Sequence, residues 1–139
     1  MKRVAVAATL LTLLAFAPSA SAKVNNPFLT AYASCGNSKP FKPGKRCNYD
    51  GSTKFRGTYF FKSKVGPIDV KTCFRIYGPK PLGGRNDCGN LYSVTQRALP
   101  FRATGVRQAF KVKFTLFTKG AGSTAPFNKT DTSFLRVRP

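Results

Sequence analysis

The clearest pattern of polar and apolar positions runs from residue 109 to 118, where Phe110, Val112, Phe114 and Leu116 alternate with Lys111, Lys113 and Thr115. A period of two belongs to a strand with one face in a core and the other in water. Residues 68–77 repeat it, with Ile68, Val70, Phe74 and Ile76 on one side and Asp69, Lys71, Cys73, Arg75 and Tyr77 on the other. Further strands are predicted at 28–34, 55–62, 91–98 and 133–138 from their β-branched and aromatic content.

The segments between them are rich in turn residues. Residues 78–90 hold Pro79, Pro81, Gly83, Gly84, Asn86, Asp87 and Gly89, and are read as a loop overlying the second strand. Residues 119–129, with Gly120, Gly122 and Pro126, read as a long hairpin connection. Residues 37–46 combine Pro40, Pro43 and Gly44 with four basic residues and are expected to form an exposed loop. No mature segment shows helical amphipathicity. Short alternating strands separated by turn clusters predict an all-β chain, an antiparallel two-sheet sandwich, with a small β-barrel as the alternative. The outline resembles immunoglobulin-like secreted modules in architecture only: the chain has no tryptophan, and Cys73 falls on the solvent side of its strand. Architecture of that kind implies no function.

The start of the chain changes the setting. Lys2 and Arg3, an apolar run from Val4 to Phe16, Pro18, and Ala20-Ser21-Ala22 form an export signal, read as 1–22, and leave one domain over 23–139. The apolar run is shorter than the roughly 20 residues a spanning helix needs, so no membrane insertion is expected after cleavage. The protein is therefore read as secreted, extracellular or periplasmic. Its cysteines, Cys35, Cys47, Cys73 and Cys88, all follow the leader and are expected to form disulfides. Four cysteines permit three pairings. The preferred one joins Cys35 to Cys47 and Cys73 to Cys88, closing loops of 11 and 14 intervening residues. Each closure is worth about 3 kcal/mol by chain entropy.

Charge narrows the chemistry further. The chain has 24 Lys and Arg against four Asp and Glu, with no histidine, for a net charge of +20. Loss of Lys2 and Arg3 with the leader leaves 22 basic residues against four aspartates, or +18. General acid-base catalysis most often needs histidine or paired carboxylates. Asp50 and Asp87 sit in turn sequences, whereas Asp69 and Asp131 are read as solvated or paired with neighbouring lysines. Neither Ser-x-x-Lys nor Gly-x-Ser-x-Gly occurs. The chain is therefore read as non-enzymatic, with no catalytic residue. No cofactor is expected either. Without histidine or a Cys-x-x-Cys pair no zinc site is expected, and Asn48-Tyr49-Asp50-Gly51 is only a fragment of a calcium loop.

What the charge does favour is an anion. Lys71, Arg75, Lys111 and Lys113 stud the wet faces of two predicted strands, and Lys39, Lys42, Lys45 and Arg46 crowd one loop. Were the two strands neighbours, their outer face would be a basic plate that binds polyanions by counterion release. Alternation also turns Phe60, Tyr77, Phe117 and Phe134 outward, although cover by a second sheet or a loop is the reading preferred for them. The expected partners are anionic polymers or a cell-envelope surface, and nucleic acid is disfavoured outside the cell. The alternative is a structural or interaction domain that docks a protein partner while its charge is incidental.

Overall fold

The computed structural model describes residues 26–36, 46–48, 54–106 and 108–138, so the leader at 1–22 and most of the basic loop, 37–45, lie outside the described residues. Eight strands are formed: β1 (Leu29–Cys35), β2 (Arg46–Asn48), β3 (Lys54–Ser63), β4 (Ile68–Tyr77), β5 (Asn86–Val94), β6 (Gln96–Thr104), β7 (Phe110–Gly120) and β8 (Asn128–Arg138). They make a three-stranded sheet, ordered β1-β3-β6, and a five-stranded sheet, ordered β2-β8-β7-β4-β5. Pairing is antiparallel throughout except between β2 and β8, which run parallel. The sheets do not close into a barrel.

Alternation explains which faces meet. Along β7, Phe110, Val112, Phe114 and Leu116 are all buried, and their polar neighbours are half-buried. β3 supplies Phe55, Tyr59 and Phe61 to the same core, β4 supplies Val70 and Ile76, and β8 supplies Leu135 and Val137. Ring contacts cross from one sheet to the other: Tyr59 stacks on Phe114 with centroids 5.1 Å apart, and Phe55 meets Phe110 edge-on at 5.5 Å. Aromatic pairs of this kind add to the burial energy and fix how the sheets sit on each other.

The disulfides pair as expected, Cys35 with Cys47 and Cys73 with Cys88. Their structural roles differ. Cys35 ends β1 in one sheet and Cys47 lies in β2 of the other, so this bridge ties the two layers together. Cys73 and Cys88 are directly opposed on the neighbouring strands β4 and β5. The second bridge therefore joins two strands of one sheet instead of fastening an overlying loop. Two disulfides fit a non-reducing compartment.

Three segments depart from the sequence expectation. The loop read at 78–90 ends early, because Asn86, Asp87 and Gly89 are drawn into β5 by pairing with β4. What remains is a tight turn in which Gly84 adopts φ +89° and a side chain at Gly83 would collide with the Gly78 carbonyl. The single strand expected at 91–98 is two strands in different sheets, with Thr95 between them. Ser93 sits in a bulge of the β4–β5 ladder just before the crossing: it takes φ 52°, its N–H donates to Asp69 Oδ1 at 2.9 Å, and the chain leaves for the other layer after Val94. Finally, β8 begins at Asn128 and shortens the hairpin connection expected over 119–129.

Of the two aspartates read as solvated or paired with lysines, Asp69 is the lysine-paired one, whereas Asp131 finds other partners. Asp69 is buried, not solvated, and its carboxylate accepts from the Ser93 and Gly122 amides, with Lys119 Nζ 3.9 Å away. Asp131 is bound by hydroxyls and not by a lysine. Tyr59 donates to its Oδ2 at 3.1 Å and Ser133 at 2.8 Å. Asp131 opposes the buried Leu116 in the same unbroken register as Leu135 and Val137, so alternation along β8 aims it at the facing sheet; the bulge between Leu116 and Phe117 comes only after it.

Candidate functional site

The outward side of β4, β7 and β8 follows from the inward one. Because Ile76, Val112, Phe114, Leu135 and Val137 are committed to the core, the residues between them must face away from it. Register then decides which outward residues are neighbours. Tyr77 lies opposite Lys111, and Lys111 opposite Arg136, forming one row across three strands. The next row is Arg75, Lys113 and Phe134. Beyond it Cys73 opposes Thr115, and one row further Lys71 opposes Phe117.

The two upper rows make a compact block of four cations and two rings. Lys111 Nζ lies 5.1 Å from the Tyr77 ring centroid and 5.2 Å from that of Phe134, and the Arg75 guanidinium lies 5.3 Å from Tyr77. One lysine thus serves both rings. Tyr77 and Phe134 remain 38% and 43% exposed, so the preferred expectation of a covering sheet or loop fails for them. Phe60 does find cover, half-buried against Tyr32 with centroids 5.2 Å apart, and Phe117 is half-buried too.

Carboxylates avoid this block. Among the described residues no Asp carboxylate oxygen lies within 4 Å of the side-chain nitrogens of Lys71, Arg75, Lys111, Lys113 or Arg136. Asp69 shares the outward parity, but it is buried at the far end of β4 with its oxygens occupied. Asp131 points into the core, and Asp87 opposes Phe74 on the inward side. Register also places two like-charged pairs directly opposite each other, Arg75 with Lys113 and Lys111 with Arg136. Such pairs destabilise a sheet. The rings offset part of that cost by cation–π attraction. A bound anion would remove the rest.

Of the eight basic residues singled out in the sequence, Arg75, Lys111 and Lys113 are brought together. Lys71 shares their face but stands beyond the Cys73–Cys88 bridge, about 13 Å from Arg75 along the strand. Arg46 opens β2 with its backbone opposite Arg136, at the edge of the upper row. Lys39, Lys42 and Lys45 lie outside the described residues. Sequence reasoning missed Arg136. The signal was present in the alternation of Phe134, Arg136 and Arg138 with Leu135 and Val137.

Two other features bear on chemistry. A cleft of about 210 Å³ opens where β5 and β6 diverge, lined by Tyr59, Phe74, Leu99, Phe101 and Phe114 with Asp87 at its margin. It is chiefly an apolar gap between the layers, and Asp87 spends one oxygen on the Cys88 amide. Beneath it, Tyr59 is 1% exposed, and burial followed by the charge and hydrogen bond of Asp131 holds its phenol well above the ordinary range. Tyr59 therefore remains a hydrogen-bond donor and latches β3 to β8.

That latch has a pH signature. Below pH ~10 the phenol is protonated in both the folded and unfolded chains; above it only the unfolded chain releases the proton, so stability falls as pH rises. The loss is expected to approach ~1.4 kcal/mol per pH unit above that point. Urea denaturation at pH 9 and pH 11 measures it. Tyr59→Phe should flatten this part of the profile, and an unchanged slope would show that the latch does not set it.

Comparison with protein-family models, with curated proteins and with solved structures returns no match.

Proposed function

We propose that the chain is an exported, non-enzymatic binding module that holds anionic polymers of a cell envelope or extracellular matrix against the outer face of β4, β7 and β8. One observation carries this reading: two directly opposed like-charged pairs sit on an exposed sheet face with no described carboxylate in ion-pair range. A solvated face chosen for solubility has no reason to align its charges strand against strand. A face that meets a polyanion does, since each neutralised anionic group releases a condensed counterion.

The fold supports the same setting. We infer an immunoglobulin-like arrangement, because β1-β3-β6 and β8-β7-β4-β5 follow the order A-B-E and G-F-C-C′ of such sandwiches. The bridge between facing strands of antibody domains is replaced here by one at the β1–β2 edge and one within a sheet. Residues 1–22 provide the export signal and the two disulfides the fit to an oxidising destination.

Salt dependence tests the reading. Purified mature chain is expected to bind dextran sulfate at low ionic strength, with log K falling linearly against log salt at a slope of about −3 to −4 for four contacts. Uncharged dextran should not retain it at any salt. A slope near zero, or equal retention by both polymers, would overturn the proposal.

A further inference from the structure

We propose that the polymer held by this face is an acidic polysaccharide, its sugar rings lying against Tyr77 and Phe134 while its carboxylates or sulfates meet Lys111, Lys113, Arg75 and Arg136. This rests on the reading of the face as a polyanion site and asks which polyanion. A ligand that is only a string of charges has no use for rings. Yet the two side chains of the block that are not cations are both aromatic, and both are about two-fifths exposed beside its lysines and arginines.

The arrangement of rings and cations selects among polymers. Tyr77 and Phe134 occupy opposite corners of the two rows, and because Lys111 Nζ lies 5.1 Å and 5.2 Å from their centroids the two rings are no more than about 10 Å apart. Lys111 lies between them and touches both rings. Going from corner to corner the surface therefore reads ring, cation, ring. An acidic polysaccharide presents the matching series, because each sugar has an apolar face and the acidic groups hang from the same repeating rings. With Lys111 seated between the rings, the two ring contacts fall on neighbouring sugars of one chain and the cation meets an acidic group between them.

A single-stranded nucleic acid keeps its charge and its flat surfaces on separate tracks, phosphates along the backbone and bases to one side. Its binding sites answer with a basic groove beside a row of stacking aromatics. Here the two kinds of side chain are interleaved. Polyphosphate offers no flat face at all, so the rings would contribute nothing to its recognition.

The test keeps every cation and removes both rings. Tyr77→Ser/Phe134→Ser and the unaltered mature chain are titrated with dextran sulfate, polygalacturonate, polyphosphate and oligo(dT) at one low salt concentration, after thermal melts establish that both proteins fold. The double variant should bind the two polysaccharides about 10- to 30-fold more weakly, while its affinity for polyphosphate changes less than about twofold. Equal losses for polysaccharide and polyphosphate would mean that the rings only steady the lysines, and the proposal fails. No loss for any polymer, or a loss confined to oligo(dT), also overturns it. In those cases binding by the unaltered chain still stands as evidence for a polyanion site, whereas absence of binding to all four polymers defeats the underlying reading itself.

Discussion

Replacing Asp69 by alanine is expected to lower the free energy of unfolding by about 3–5 kcal/mol, a large part of what a domain of this size possesses. The residue is 4% exposed and joins three pieces of chain. Oδ1 accepts from Ser93 where β5 turns toward β6, Oδ2 accepts from Gly122 in the β7–β8 turn at 3.2 Å, and Lys119 balances the charge. Alanine would strand both amides and leave Lys119 with the Ser123 carbonyl, which it contacts at 2.6 Å, and the Phe127 ring, whose centroid is 5.0 Å from its Nζ. Each stranded amide costs about 1–3 kcal/mol. Asp69→Asn keeps the shape and one good acceptor and should lose about half as much. Urea denaturation curves at pH 7 measure both variants. A loss below ~1 kcal/mol for the alanine variant would mean that the strand crossing holds without the carboxylate.

Reversing Arg75, Lys111, Lys113 and Arg136 to glutamate should weaken binding to dextran sulfate by a factor on the order of 10²–10⁴ at low salt, with the salt slope reduced by about 3–4. The control reverses Lys62, Lys64, Arg97 and Arg102, which are exposed at the end of β3 and along β6. Both variants change net charge equally. If net charge alone governs retention, their elution salt concentrations fall together; if the aligned pairs form the site, the first variant elutes far earlier. The block should also gain a little stability in a single reversal, because Lys113→Glu converts an opposed like-charged pair with Arg75 into an opposite-charged one.

Much of this fold is legible in the sequence. Alternation at 109–118 and 68–77 identified β7 and β4 and, apart from the buried Asp69 and the half-buried Phe74, which of their residues would be buried, since the period of two is a property of each strand alone. Both disulfides followed from short loop closures. The errors arose where a distant segment changed local preference. Asn86, Asp87 and Gly89 are turn residues by composition, yet β4 offers them an unpaired strand edge and they extend along it. The stretch 91–98 reads as one strand because nothing within it announces that Asp69, 24 residues earlier than Ser93, will accept the Ser93 amide in a bulge just before the crossing.

The basic plate divides in the same way. The chain's own pattern determined that Arg75, Lys111 and Lys113 would stand on wet faces, and that too few acids existed to neutralise them. Only the tertiary structure decided that β4, β7 and β8 are neighbours, that Arg136 completes the block, and that Tyr77 and Phe134 stay uncovered around Lys111. The physical reason is that a strand's alternation is set by its own backbone, whereas register is set by the partner strands, the inter-sheet rings and the turns, each far away in sequence.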